Sequence, residues 1–321
     1  MRNLKSILLT GGAGFIGSSL ARHLLKEDSL EKLIILDKLT YAGNRAHLAL
    51  PEQDPRCLFV EGDICDAQLV ERIIQEQEIT GILHLAAESH VDRSICSAAN
   101  FITTNVVGTS TLLDAAQRHQ LPLLHCSTDE VYGPIAAPEK VKECAKLCPS
   151  SPYAASKASA DLLCLAAART HGLEVIVTRS TNNYGPRQHP EKLIPLLIER
   201  ALRDEKLPIY GSGSQIRDWI HVDDHCEGLL AAWRRGKSGE IYHFAGHRER
   251  TNIGMARSIL NALHKPHNLI EHVADRPGHD ERYALDTEKA LMWFGWQPKV
   301  SFQDAFPEVV RSLSADLGAG D

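Results

Sequence analysis

Four side chains of this sequence have the types and spacing for proton chemistry. Tyr153 and Lys157 stand four apart just after Ser151-Pro152, a good opening for a helix. Helical i, i+4 spacing places the phenol and the ammonium on one face. A neighbouring ammonium stabilises phenolate, so Tyr153 is expected to have its pKa drawn down from the usual ~10 and to remove a proton from an alcohol. The second pair, Asp129-Glu130, lies in Ser127-Thr128-Asp129-Glu130-Val131-Tyr132-Gly133, directly after an apolar run. Adjacent carboxyls facing one crevice repel each other, and desolvation adds to that. One keeps its proton while the other ionises, which gives a general acid and a general base at one place.

Metal chemistry has less support. Cys144-x-x-x-Cys148 has a gap that some zinc sites use, but no second ligand pair follows. His221 and His225 stand at i, i+4 without the glutamate of a metalloprotease helix. No metal site is expected. Eight scattered cysteines do not form a disulfide framework and fit a reducing cytoplasm.

Such groups need rigid strand ends to hold them. Short apolar runs at residues 6–10, 33–36, 57–60, 81–85, 121–127 and 173–179 read as buried strands. Helical patterns at 14–26, 66–77, 104–119 and 152–170 lie between them. This β-α-β rhythm predicts an α/β fold, a Rossmann-type doubly wound parallel sheet. The rhythm breaks after about residue 180 into turn-rich segments, with helices predicted over 190–203, 223–234, 252–263 and 301–313. The expected division is a dinucleotide-binding domain over 1–182 and a smaller C-terminal substrate-binding domain over 183–321. That boundary is soft, and segments can interleave across it.

The remaining composition narrows the partners. Lys+Arg number 35 against 41 Asp+Glu, a net charge of −6 with no basic run, so no nucleic-acid footprint is expected. The longest apolar run, residues 162–168, falls far short of the ~18 residues of a membrane span. The N-terminal apolar run stops at Thr10-Gly11-Gly12, too early for a signal peptide.

The cofactor reading starts at that same turn. Gly11, Gly14 and Gly17 follow the first strand and open the first helix, where a chain must bend sharply and approach a pyrophosphate. Asp37 ends the second strand twenty residues beyond Gly17, the place of an acid that accepts from ribose hydroxyls and repels a 2′-phosphate. This favours NAD, while the adjacent Lys38 keeps NADP open. Asp63 after strand three could reach an adenine amino group, and small Ala86 and Ala87 after strand four would let a cofactor lie close.

Here the motifs resemble a known group. The glycine turn, Asp37-Lys38-Leu39-Thr40, Ala87-Glu88-Ser89-His90-Val91-Asp92-Arg93-Ser94, Tyr153-x-x-x-Lys157 and Asn182-Asn183-Tyr184-Gly185-Pro186 resemble the extended short-chain dehydrogenase/reductases. Within these, the run from Ser127 to Gly133 is similar to that of the dTDP-glucose 4,6-dehydratase family, as are Pro190-Glu191-Lys192-Leu193-Ile194-Pro195, Ile216-Arg217-Asp218-Trp219 and Asp275-Arg276-Pro277-Gly278-His279-Asp280. The related epimerases lack both acids of the pair, and Thr181 stands where the family usually has serine.

The resemblance implies a hydro-lyase acting on a nucleotide sugar, with dTDP-glucose as substrate. Tyr153, Lys157 and Thr128 would serve C4 oxidation, Glu130 would remove the C5 proton and Asp129 would protonate the departing C6 hydroxyl. It implies NAD contacts at Phe15, Ile16, Asp37, Lys38, Leu39, Thr40, Asp63, Ile64, Leu85, Ala86, Ala87, Ser89, Thr104, Tyr153, Lys157 and Asn183, with Lys157 also holding the nicotinamide ribose. Implied substrate contacts are Ser89, Thr128, Asn182, Lys192, Leu193, Pro208, Ile209, Tyr210, Arg217, Asn252, His279 and Tyr283; the cations Lys192 and Arg217 suit a diphosphate. It also implies a homodimer through helices 104–119 and 152–170. A nucleotide-sugar 4-epimerase, a 4,6-dehydratase of UDP-sugars and a non-catalytic NAD-binding regulator are the competing readings.

Overall fold

The computed structural model describes residues 2–318. Its first six strands are β1 (Ser6–Thr10), β2 (Lys32–Asp37), β3 (Cys57–Glu61), β4 (Gly81–His84), β5 (Leu123–Thr128) and β6 (Val175–Ser180). Next come β7 (Asn182–Tyr184), β8 (Leu207–Tyr210), β9 (Ile216–His221), β10 (Glu240–Phe244), β11 (Glu249–Thr251) and β12 (Ile270–Val273). Seven strands form one parallel sheet in the order β10-β6-β5-β4-β1-β2-β3. The order reverses between β1 and β4, so a crevice opens at the carboxyl ends of these strands. The smaller sheets are β11-β9-β7 and β12-β8.

The helices are α1 (Phe15–Leu24), α2 (Ala67–Glu76), α3 (Val91–Cys96), α4 (Ala99–Phe101), α5 (Thr109–His119) and α6 (Pro152–His171). They continue as α7 (Leu193–Leu202), α8 (Val222–Arg235), α9 (Asn252–Ala262), α10 (Glu288–Phe294) and α11 (Phe302–Gly318). Alternation along the strands sorts these helices onto two faces. Ile7, Leu9, Leu33 and Ile35 pack with Leu20 and Leu24 of α1, Leu229 and Trp233 of α8 and Phe294 of α10. Their neighbours Leu8, Ile34 and Leu36 pack with Val70 and Ile73 of α2, Leu112 of α5 and Cys164 of α6. A third core joins α7, α9 and α11 through Ile198, Ile259 and Phe306.

Three features depart from the expected elements. The large sheet does not end near residue 182: β10 pairs with β6, and α8 and α10 cover one face, so later segments interleave with the first layer. The helix expected over 104–119 starts earlier, with π-helical Ile102–Gly108 joining α4 to α5. Buried Asn105 gives a physical reason. Its side chain accepts from the Glu88 N–H and donates to the Glu88 carbonyl and to Ser156 Oγ, satisfying the backbone beyond β4. A widened turn suits this inward reach, and π-turns occur often at functional sites. Finally, α3 carries no long apolar signal; it is six residues capped by His90.

Candidate active site

The crevice is shaped first by glycine. Gly11 adopts φ +71°, and a Cβ there would lie 2.5 Å from the Ala86 nitrogen; one on Gly17 would lie 2.1 Å from the Gly11 carbonyl oxygen. The β1–α1 turn can therefore press against the end of β4 only without side chains. Helix α1 begins after Gly14 with no capping side chain, leaving its first-turn N–H groups for an anionic ligand. Asp37 accepts from the N–H of Ala13 and of Leu39, both at 2.9 Å, which fixes its carboxylate beside the turn with acceptor capacity to spare. Lys38 donates to Asp63 at 2.7 Å. An ammonium already matched to a carboxylate is a poor partner for a 2′-phosphate, so this cradle fits NAD better than NADP.

The cleft is lined by Gly11, Gly14, Phe15, Ile16, Gly17, Asp37, Lys38, Thr40, Asp63, Ile64, Leu85, Ala86, Ala87, Ser89, Thr104 and Asn183, as expected of cofactor contacts. Leu39 is the exception; it packs against the core beneath while its N–H holds Asp37. Farther along the same cleft lie Thr128, Asp129, Glu130, Tyr153, Lys157, Asn182 and Lys192. Ser151 caps α6 through the Ala154 N–H and Pro152 opens it, so Tyr153 sits in the first turn, facing inward.

One expectation about this helix fails. Burial and nearby Glu130 push the Tyr153 phenol well above its usual range, and only the Thr128 hydroxyl favours the phenolate. Lys157 does not pair with it, because its Nζ donates to the Cys126 carbonyl at 2.8 Å and lies 3.3 Å from His125 Nε2. The i, i+4 spacing aligned the two residues, and β5 decided where the ammonium points.

The acid pair is unequal. Burial raises the pKa of both, but different charges face them. Asp129 is held well above the carboxylate range by burial and by Glu130 and Asp218, with Arg217 the cation that opposes them. Glu130 faces Arg217, Arg276 and Lys192, each of which favours its anion, so its pKa is raised by burial against that opposition. Asp129 Oδ2 is buried without a hydrogen-bond partner, while Oδ1 accepts from Thr128 at 3.2 Å. The arrangement can keep a proton on Asp129 beside an ionised Glu130.

The remaining expected substrate residues lie beyond the cleft lining. Buried Arg217 stacks 4.4 Å from the Tyr283 ring and donates to the Asp280 carbonyl. Tyr210 donates to Asp92 at 3.1 Å, and its ring meets His279 edge-on. Pro208 and Ile209 lie in β8, Leu193 opens α7, and Asn252 opens α9. Arg276, which donates to Asp92 and also faces Glu130, was not singled out by residue type; its only signal was the Asp275-Arg276-Pro277-Gly278 turn. Among the described residues no cluster suits a metal ion, and no helix is long and apolar enough to cross a membrane.

Comparisons with known proteins bear on this geometry. A family model described as GDP-mannose 4,6 dehydratase matches residues 8–309. The dTDP-glucose 4,6-dehydratase of an Actinoplanes species is 48% identical over 316 residues, covering 97% of this chain and 98% of that protein. The crystal structure of DesIV, a dTDP-glucose 4,6-dehydratase from Streptomyces venezuelae solved with NAD and a second ligand, superposes with a TM-score of 0.95 at 48% identity, covering 99% of this chain and 98% of that one. A UDP-glucose 4-epimerase from Thermotoga maritima reaches a TM-score of 0.89 at 30% identity, covering 97% and 99%. Fold alone therefore does not separate dehydration from epimerisation.

Proposed function

Because this chain belongs to the GDP-mannose 4,6 dehydratase family and shares close to half its residues with dTDP-glucose 4,6-dehydratases, we propose that it converts dTDP-glucose to dTDP-4-keto-6-deoxyglucose. The observation that carries this reading is the unequal pair Asp129 and Glu130 beside Tyr153. An epimerase has no use for a protonated acid next to an ionised base, whereas loss of water across two carbons needs both.

When bound, NAD stores a hydride between its removal from sugar C4 and its return at C6, and its ring supplies positive charge. Tyr153 Oη would take the C4 hydroxyl proton as a phenolate, which burial disfavours in the cofactor-free cleft and the positive charge of bound NAD favours, and Thr128 Oγ1 orients that hydroxyl. The resulting 4-ketone acidifies the C5 hydrogen. Glu130, whose anion Arg217, Arg276 and Lys192 favour against the effect of burial, removes that proton. Asp129 gives its proton to the C6 oxygen, which leaves as water. Arg217 and Lys192 supply positive charge suited to a nucleotide diphosphate.

The chain is further assigned to the cytoplasm, in keeping with eight free thiols, and to a homodimer. Support for the dimer comes from Ile102, Val107 and Leu162, which are 53%, 49% and 58% exposed on the π-helical stretch and on α6. Supplying dTDP-glucose and UDP-glucose separately tests the catalytic reading by mass spectrometry. A product lighter by one water from dTDP-glucose supports it; inversion at C4 without water loss would point to an epimerase instead.

A further inference from the structure

Behind Lys157 lies a chain of buried groups that the reaction above does not use. Tyr153, Lys157 and Asp161 follow each other at four-residue steps along α6, running from the cleft into the interior. Asp161 is fully buried; its Oδ2 accepts from Arg179 Nε at 2.8 Å, and its Oδ1 has no hydrogen-bond partner. That free oxygen lies 3.4 Å from His125 Nε2, which in turn lies 3.3 Å from Lys157 Nζ. His125 Nδ1 is buried without a partner. With the ring neutral, Nε2 accepts from the Lys157 ammonium, and Asp161 acts on that ammonium through its charge across the ring. Lys157 then has one donor on the Cys126 carbonyl, one on His125 and a third free for the cleft.

We infer that Asp161, acting across His125, is the positioning residue that holds Lys157 charged and aimed at the cofactor cleft. Among the described residues around Lys157, Asp161 is the anion available for this task. On β5, Cys126 is pushed up to about 11 and His125 down to about 4 by burial, so both are neutral near pH 7. On β4, His84 is driven well below its usual value by burial, and on α6 Cys164 is driven far up. On β6, Arg179 is a second cation, and beyond it Tyr132 and His243 are held neutral by burial. Burial pulls the pKa of the Lys157 ammonium down, and Asp161 opposes that.

This role rests on the proposed use of NAD, so the test reads cofactor affinity as well as turnover. Titrate NAD into the cofactor-free protein by fluorescence across pH, and measure kcat/KM for dTDP-glucose over the same range. In the wild type, affinity should hold level up to an alkaline break where Lys157 loses its proton. In Asp161→Asn the alkaline break should move to lower pH by about 1–3 units, as expected for loss of a nearby counter-charge. Asp161→Glu should restore it. Because Asp161→Asn strands Arg179, the double variant Asp161→Asn/Arg179→Met removes both charges and should show a smaller shift in the same direction. A merely structural Asp161 would lower the active fraction and leave the break in place. An unmoved break in either folded variant, or a wild type with no alkaline break, would overturn the inference. If NAD affinity behaves as stated but dTDP-glucose is not turned over, the substrate reading fails and the role of Asp161 stands.

Discussion

Replacing Asp129 by Asn should stabilise the protein while crippling it. Asp129 is 3% exposed, and desolvation with the charge of Glu130 raises its folded pKa well above its unfolded value. A carboxyl shifted in that direction contributes stability that is complete below the unfolded pKa and is lost as pH rises toward the folded one. Each pH unit in which the unfolded chain has ionised and the folded group has not costs about 1.4 kcal/mol. For 321 residues the unfolding entropy is about 0.7 kcal/mol/K, so that cost is about 2 °C of Tm per unit. Asn has no such proton and keeps an oxygen for Thr128. Thermal scans of ligand-free wild type and Asp129→Asn should therefore show a Tm gap that widens in favour of the variant by up to about 4 °C between about pH 5 and about pH 7. A gap that is constant, or that narrows with rising pH, would mean that folded Asp129 ionises like an ordinary carboxylate, and the assignment of the acid would collapse.

Three further outcomes follow from the same geometry. Tyr153→Phe removes the proton acceptor and should slow C4 oxidation by about 10²–10⁴-fold, with no rise in reduced-nicotinamide absorbance in a single turnover. Asp37→Ala releases the Ala13 and Leu39 N–H groups and removes the acid proposed to accept from the ribose. At about 1.5–3 kcal/mol for a charged hydrogen bond, NAD affinity by calorimetry should fall at least about tenfold, and the wild-type protein should carry NAD rather than NADP through purification. Leu162→Glu places a charge on the exposed face of α6 and should yield monomers in sedimentation at micromolar concentration; an unchanged dimer would place the interface elsewhere.

Much of the large sheet can be read from residues because parallel strands covered on both faces leave unbroken apolar runs. The run at 6–10 coincides with β1, and the others agree with their strands to within a few residues. What stayed hidden was non-local. β10 returns to β6 after some sixty residues, a pairing with no signature within Glu240–Phe244 itself. The π-helical stretch answers to Asn105 meeting the Glu88 backbone, a tertiary demand that periodicity cannot report. At the site, residue types placed Tyr153, Asp129 and Glu130 together in one cleft. The direction of Lys157 depended on Cys126 and His125 across the helix–sheet interface, and the bias between the two acids on Arg217 and Arg276, which arrive from distant loops and strands.

The central claim is that Tyr153 serves oxidation while Asp129 and Glu130 serve water loss. It is tested most directly with the Asp129→Asn/Glu130→Gln variant, which keeps both side-chain shapes and removes acid and base together. One equivalent of dTDP-glucose should reduce the bound nicotinamide while almost all sugar keeps its C6 oxygen by mass spectrometry. Wild-type product formed in D₂O should carry deuterium at C5. Dehydration by the variant at the wild-type rate would contradict the division of labour and leave the acid pair a purely structural role.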